Sequence, residues 1–202
     1  MRTPKIIFTY SLTYDQNCKE WTKLFLKKRV KYPSSRKVIS YTKEVKTLWK
    51  KYEKRILEEL SRITGLKWKE DEIPCYVVGR IIPFSDPLTL PFYEKHPDYF
   101  IDVLVHELIH QLFTQNGNLK RSEKAWKFIN RKYKKESRNT RIHIPVHAFH
   151  SHIYLKFFDE NRLRRDINLI KSAPDYIKSW ELVKKTGYKK IIDEFSKRIG
   201  KK

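Results

Sequence analysis

Five residues of this chain have the types and the spacing for metal chemistry: His106-Glu107-Leu108-Ile109-His110. On a helix, residues four apart lie on one face, one turn above the other, so both imidazoles can address a single ion. Glu107, one step round from His106, can hold a water bound to that ion. Two neutral imidazoles and a carboxylate in this order form the pattern of zinc-assisted peptide hydrolysis. The flanks strengthen the reading. Positions 101, 103, 104, 105, 108, 109, 112 and 113 are all apolar, so the helix is hydrophobic nearly all round and belongs in a core. Polar groups there are costly unless they are paired or hold a metal. Pro97 and Asp98 suit the first turn, and Asn116-Gly117 suits the end.

A catalytic zinc takes three protein ligands and keeps one position open for water. A third histidine six residues beyond His110 is excluded, because that position is Asn116. Of the other histidines, His96 stands alone and four crowd into the stretch from Arg141 to Tyr154. If that stretch is helical, His143, His147 and His150 share a face and His152 points elsewhere. Pro145 fits near the start of such a helix. His147 is the favoured third ligand, being central and flanked by small Ala148, with His150 as the alternative. Glu123 and Glu136 are carboxylate options, but their charged surroundings read as solvated surface. Glu107 is the expected general base. His143 is assigned a catalytic part, as a donor toward a developing oxyanion, with His150 and Tyr154 as other candidates. Asp102, one turn before His106, can orient that imidazole, or merely balance charge at the helix start.

The elements that must position these groups follow from periodicity. Lys5–Leu12 reads as an early strand and Gln16–Val30 as a helix. Glu44–Thr64 carries a continuous three-four apolar rhythm closed by Gly65, which predicts one long helix. Ile73–Gly79 and Arg80–Pro83 read as strand, and Phe84–Pro87 as a turn. Leu88–Phe92 reads as another strand, demoted to an edge by its prolines. Helices are expected over Leu119–Lys135 and Asn139–Phe158, then around Leu163–Ile170, from Ser172 to near Gly187, and over Tyr188–Ile199. Strands early and helices late predict an α+β fold: a small, mostly antiparallel sheet with an edge strand beside the motif helix, and a helix-rich C-terminal half. The domain expectation is a metallopeptidase-like domain over 1–160 with a helical C-terminal extension, 161–202, packed on it.

The motif residues look like those of the zincin metallopeptidases, and the layout resembles the small gluzincin-type (minigluzincin-like) proteases over residues 1 to 160. What the resemblance implies is zinc at His106 and His110, with Glu107 as general base. Here the chain departs from the gluzincin pattern, which calls for a glutamate as third ligand where the downstream helix offers histidines. Residues after 160 have no counterpart in the resemblance.

The 202 residues hold 45 Lys and Arg against 23 Asp and Glu, a formal charge of +22. Such a charge attracts polyanions, so a nucleic-acid-associated protein with a structural or latent zinc site is the alternative reading. The even spread of the basic residues over predicted outer helix faces favours a solvated surface instead. The favoured partner is a peptide or protein substrate, lying along the edge strand Leu88–Phe92. Self-association is a further option. Cys18 and Cys75 form no CxxC pair and read as reduced structural thiols. The first residues lack a long apolar core and no window matches a membrane span, which predicts a cytoplasmic protein with no membrane partner.

Overall fold

The structure is a computed structural model that describes residues 2–25, 31–94, 96–170 and 173–200. Its elements, in chain order, are β1 (Lys5–Thr9), α1 (Leu12–Phe25), α2 (Ser35–Lys50), α3 (Glu53–Thr64), β2 (Glu72–Val78), β3 (Phe84–Ser85), β4 (Leu88–Pro91), α4 (Pro97–Gln115), α5 (Lys120–Lys132), α6 (Arg138–Phe157), α7 (Glu160–Leu169), α8 (Pro174–Thr186) and α9 (Tyr188–Ile199). The protein is α+β, with one small sheet and a helix-rich C-terminal half. It divides into two compact units. A sheet unit comprises Thr3–Lys54 and Glu70–Gln111, and a helical unit comprises Met1–Arg2, Arg55–Lys69 and Leu112–Lys202. Residues after 160 belong to the helical unit, with α5 and α6. The last stretch of the Gln16–Val30 expectation, 26–30, and Ser172 fall outside the described residues.

In the sheet unit the strand order is β1-β2-β4-β3. The sheet is mixed, not mostly antiparallel. β1 runs parallel to β2 from Lys5↔Glu72 to Thr9↔Tyr76, and β2 runs parallel to β4 from Tyr76↔Thr89 to Val78↔Pro91. Only β3 and β4 are antiparallel. The reason is connectivity: the chain leaves β1 through α1, α2 and α3, and long helical crossovers return a strand parallel. Arg80–Pro83 is not strand, while Phe84 and Ser85, expected in a turn, form β3. Leu88–Phe92 is therefore interior in the strand order. β3 takes the edge and pairs with β4 at Leu88 and Thr89.

The long helix expected over 44–64 is two helices. Ser34 caps α2 by accepting from the Lys37 N–H at 3.4 Å, so the helix begins well before Glu44. It ends in a tight turn, Tyr52 N–H donating to the Trp49 carbonyl at 2.8 Å. The break frees the Glu53 carboxylate to accept from Trp49 Nε1 and from the Ile6 N–H of β1, each at 3.0 Å. Sequence periodicity runs straight through Lys51-Tyr52 because the partner that rewards the break is a strand more than forty residues away.

α4 rests on this sheet unit through Phe100, whose ring lies 6.0 Å from Phe8 of β1 and 5.8 Å from Tyr41 of α2. The Gln111 amide donates to the Ser85 carbonyl, tying the same helix to β3. Its position is thus set by packing at one end and by a hydrogen bond at the other.

The helical unit is built around α6. An aromatic cluster of Phe113, Trp126, Phe149 and Phe195 packs with ring centroids 5.2–5.8 Å apart. Ser196 of α9 donates to the Ile63 carbonyl at 2.7 Å. Buried Glu59 meets Arg62 at 2.5 Å, His152 at 2.6 Å and Lys156 at 2.8 Å. Burial by itself raises that carboxyl. The three cationic and imidazole partners outweigh it and hold Glu59 well below the usual carboxylate range. Cys18 and Cys75 are buried free thiols. Among the described residues, no helix is long and apolar enough to cross a membrane.

Candidate metal site

α4 places three of the predicted residues. From Phe100 to Ile109 every side chain is buried, including Asp102, His106 and Glu107, and His110 is half-buried. The four-residue spacing turns the two imidazoles toward each other, with Nε2 atoms 3.2 Å apart and ring centroids 5.0 Å apart. Zinc–nitrogen bonds of about 2.0–2.1 Å at a tetrahedral angle set two ligating nitrogens roughly 3.3–3.4 Å apart. The pair fits a shared cation, and the same distance also suits one imidazole donating to the other. Burial pushes the Glu107 carboxyl up to about 8. A cation on the adjacent imidazoles favours the carboxylate and opposes that rise. Asp102 is fully buried one turn ahead of His106, where the sequence puts it.

α6 holds the histidine cluster within the helical unit. Ser137 caps the helix, accepting from the Thr140 N–H at 3.0 Å. Pro145 lies inside the helix, further from the start than the sequence suggests, and supplies no N–H to the ladder there. His143 Nδ1 is 2.8 Å from the Asn139 carbonyl. A carbonyl only accepts, so Nδ1 carries the proton and Nε2 keeps a lone pair. Burial holds His143 below the ordinary imidazole range, outweighing the Asn139 carbonyl and Asp175. A neutral ring with its lone pair on Nε2 is the form in which a histidine ligates zinc.

His147 has its Nδ1 2.6 Å from the Ser179 hydroxyl, which donates to the Tyr176 carbonyl at 2.8 Å. With the hydroxyl proton committed, Nδ1–H of His147 is the donor in that contact. Its ring stacks on Trp180, centroids 4.0 Å apart and planes within 6°. His150 Nδ1 stands 4.0 Å from Asp166 of α7, and its ring lies 4.5 Å from that of buried Tyr154. His152 leaves this face for Glu59 at 2.6 Å, as its place in the helical repeat predicts.

The α8 residues around this cluster have no counterpart in the sequence reading. Tyr176 lays its ring 4.1 Å from His143, and Asp175, Ser179 and Trp180 also engage α6. The sequence marks only a helix start at Pro174-Asp175. No spacing rule links that start to histidines some thirty residues earlier. Glu123 is exposed and pairs with Lys127 at 2.6 Å, as a solvated face would. The chain matches no protein-family model, no curated protein and no solved structure.

Proposed function

We propose that the protein is a zinc-dependent metallopeptidase of the zincin kind. The observation that carries the reading is the Nε2 pair of His106 and His110 at 3.2 Å, with the buried Glu107 carboxyl next to it on the same helix. His106, His110 and His143 together make a donor set that one metal ion could take. The reading therefore moves the third ligand from His147 to His143. Two observations support the move: the Asn139 carbonyl leaves the His143 lone pair on Nε2, and the His147 ring is closed in by Ser179 and Trp180.

A zinc ion bound there would acidify its water and polarise the scissile carbonyl. The chain's own groups do the rest. Glu107 takes the proton of the attacking water on its carboxylate and passes it to the leaving amine nitrogen. Asp102 steadies the His106 ring from one turn away. An extended peptide adds to β4 beyond the short β3 pairing, at Leu90–Phe92, through main-chain hydrogen bonds.

The test loads the purified chain with one equivalent of zinc and offers it a mixed library of unstructured peptides. Chelator-sensitive cleavage is expected. Glu107→Gln should keep its zinc and lose roughly 10²–10⁴-fold in rate, the worth of a general base. A zinc-loaded chain that cleaves nothing, or a Glu107→Gln variant as fast as the parent, overturns the reading.

A further inference from the structure

The first turn of α8 makes a second, outer connection to the histidine that the proposed reading uses as its third ligand. The Asp175 carboxylate accepts from three groups of the turn that opens α6: Ser137 Oγ at 2.5 Å, Thr140 Oγ1 at 2.9 Å and Asn139 Nδ2 at 3.2 Å. Asn139 is also the residue whose carbonyl receives His143 Nδ1–H at 2.8 Å. The next residue of α8, Tyr176, lies against the same imidazole with its ring 4.1 Å away and tilted by 36°. One carboxylate thus fixes the turn that fixes the tautomer, and one ring limits how the imidazole can rotate.

We infer that Asp175 is a positioning residue for metal binding, acting through Asn139 to hold His143 with Nε2 presented as a ligand, and that Tyr176 restricts the ring from its face. The inference rests on the proposed reading of His143 as a ligand. It gives the C-terminal helices a part in the site, since Asp175 and Tyr176 come from a segment with no motif of its own. Its physical basis is that a ligating histidine is oriented by whatever accepts from its other nitrogen, and that disturbing such outer partners weakens metal binding.

The experiment uses the full chain and metal alone, so it needs no substrate. Zinc affinity is measured by competition with a chelator, and the visible spectrum of the cobalt(II) form reports the coordination geometry. Asp175→Ala should weaken zinc roughly ten- to a hundredfold and alter the cobalt spectrum. Val183→Ala, a buried α8 position away from these contacts, should lower thermal stability and leave affinity and spectrum alone. His143→Ala should weaken zinc more than Asp175→Ala does. If His143→Ala weakens binding but Asp175→Ala binds and absorbs like the parent, the positioning role is wrong and the ligand assignment stands. A loss in Val183→Ala equal to that in Asp175→Ala has the same meaning, since general destabilisation would then explain both. If the parent binds no zinc, or His143→Ala binds as the parent does, the ligand reading falls and this inference falls with it.

Discussion

Two helices of this protein carry histidines four residues apart, and the two pairs behave differently. On α4, His106 and His110 turn toward each other with Nε2 atoms 3.2 Å apart. On α6, His143 and His147 have the same spacing and comparable ring separation, 5.5 Å against 5.0 Å, yet each Nδ1 is committed to its own neighbour. One meets the Asn139 carbonyl and the other the Ser179 hydroxyl. The surroundings explain the contrast. The α4 pair projects from a helix of apolar neighbours, so the imidazoles have each other and a carboxylate to answer. The α6 pair sits against α8, which supplies a hydroxyl, an indole and a phenol ring. Spacing brings two imidazoles within reach of one ion, and the neighbouring element decides whether they act as a pair.

The largest effect should come from removing the pair that acts together. His106→Ala combined with His110→Ala should abolish tight zinc binding in a calorimetric titration, a loss of at least on the order of a hundredfold, although α6 keeps its own i,i+4 pair. One equivalent still bound tightly by that variant would break the comparison. Next is the packing that holds the α6 pair. Phe149 is fully buried between His147 and His150 in sequence and belongs to the aromatic cluster. Phe149→Ala should cost about 3–5 kcal/mol in urea unfolding, the range for truncating a core aromatic. A cost under 1 kcal/mol would mean that α6 is placed by something other than its core.

A smaller effect is expected on the opposite face of α6, where His152 and Lys156 meet Glu59. The native carboxyl of Glu59 lies below its unfolded value. Its contribution is therefore present above the unfolded carboxylate pKa, about 4.3, and is lost as pH falls below it toward the lower native value. Glu59→Gln should cost about 1–3 kcal/mol at neutral pH, because its Arg62 and Lys156 partners are half exposed and can rehydrate. The gap to the parent should close in strong acid; a gap independent of pH would mean that the charge plays no part. The mildest change is Ser179→Ala, which removes the acceptor of His147 and should lower stability by about 1 kcal/mol. Zinc affinity should fall less than in Asp175→Ala. A reversed order would return the third-ligand role to His147, and the contrast between the two helices would need redrawing.

How much was legible follows from how local each signal is. The motif helix, its limits at Pro97 and Gln115 and its burial were readable because they depend on spacing within one element. So were the α6 helix and the separation of His152 from the other three histidines. The break at Lys51-Tyr52 was not, because the apolar rhythm continues through it and its stabilising partner is the Ile6 N–H. Strand direction was not readable either, since β1 and β2 look alike in an antiparallel or a parallel sheet and only the route of the connection decides. β3, two residues long, carries no periodicity at all.

The sequence by itself determined the donor types on α4 and their common face, since a 3.6-residue turn relates side chains four apart whatever the helix packs against. It also determined that the cluster at 143–150 is one helical face. Tertiary structure alone decided which nitrogen of each α6 histidine carries the proton, because the acceptor is a backbone carbonyl in one case and a hydroxyl from α8 in the other. A motif can specify which atoms are offered to a metal. Hydrogen bonds from distant elements specify which lone pairs remain for it.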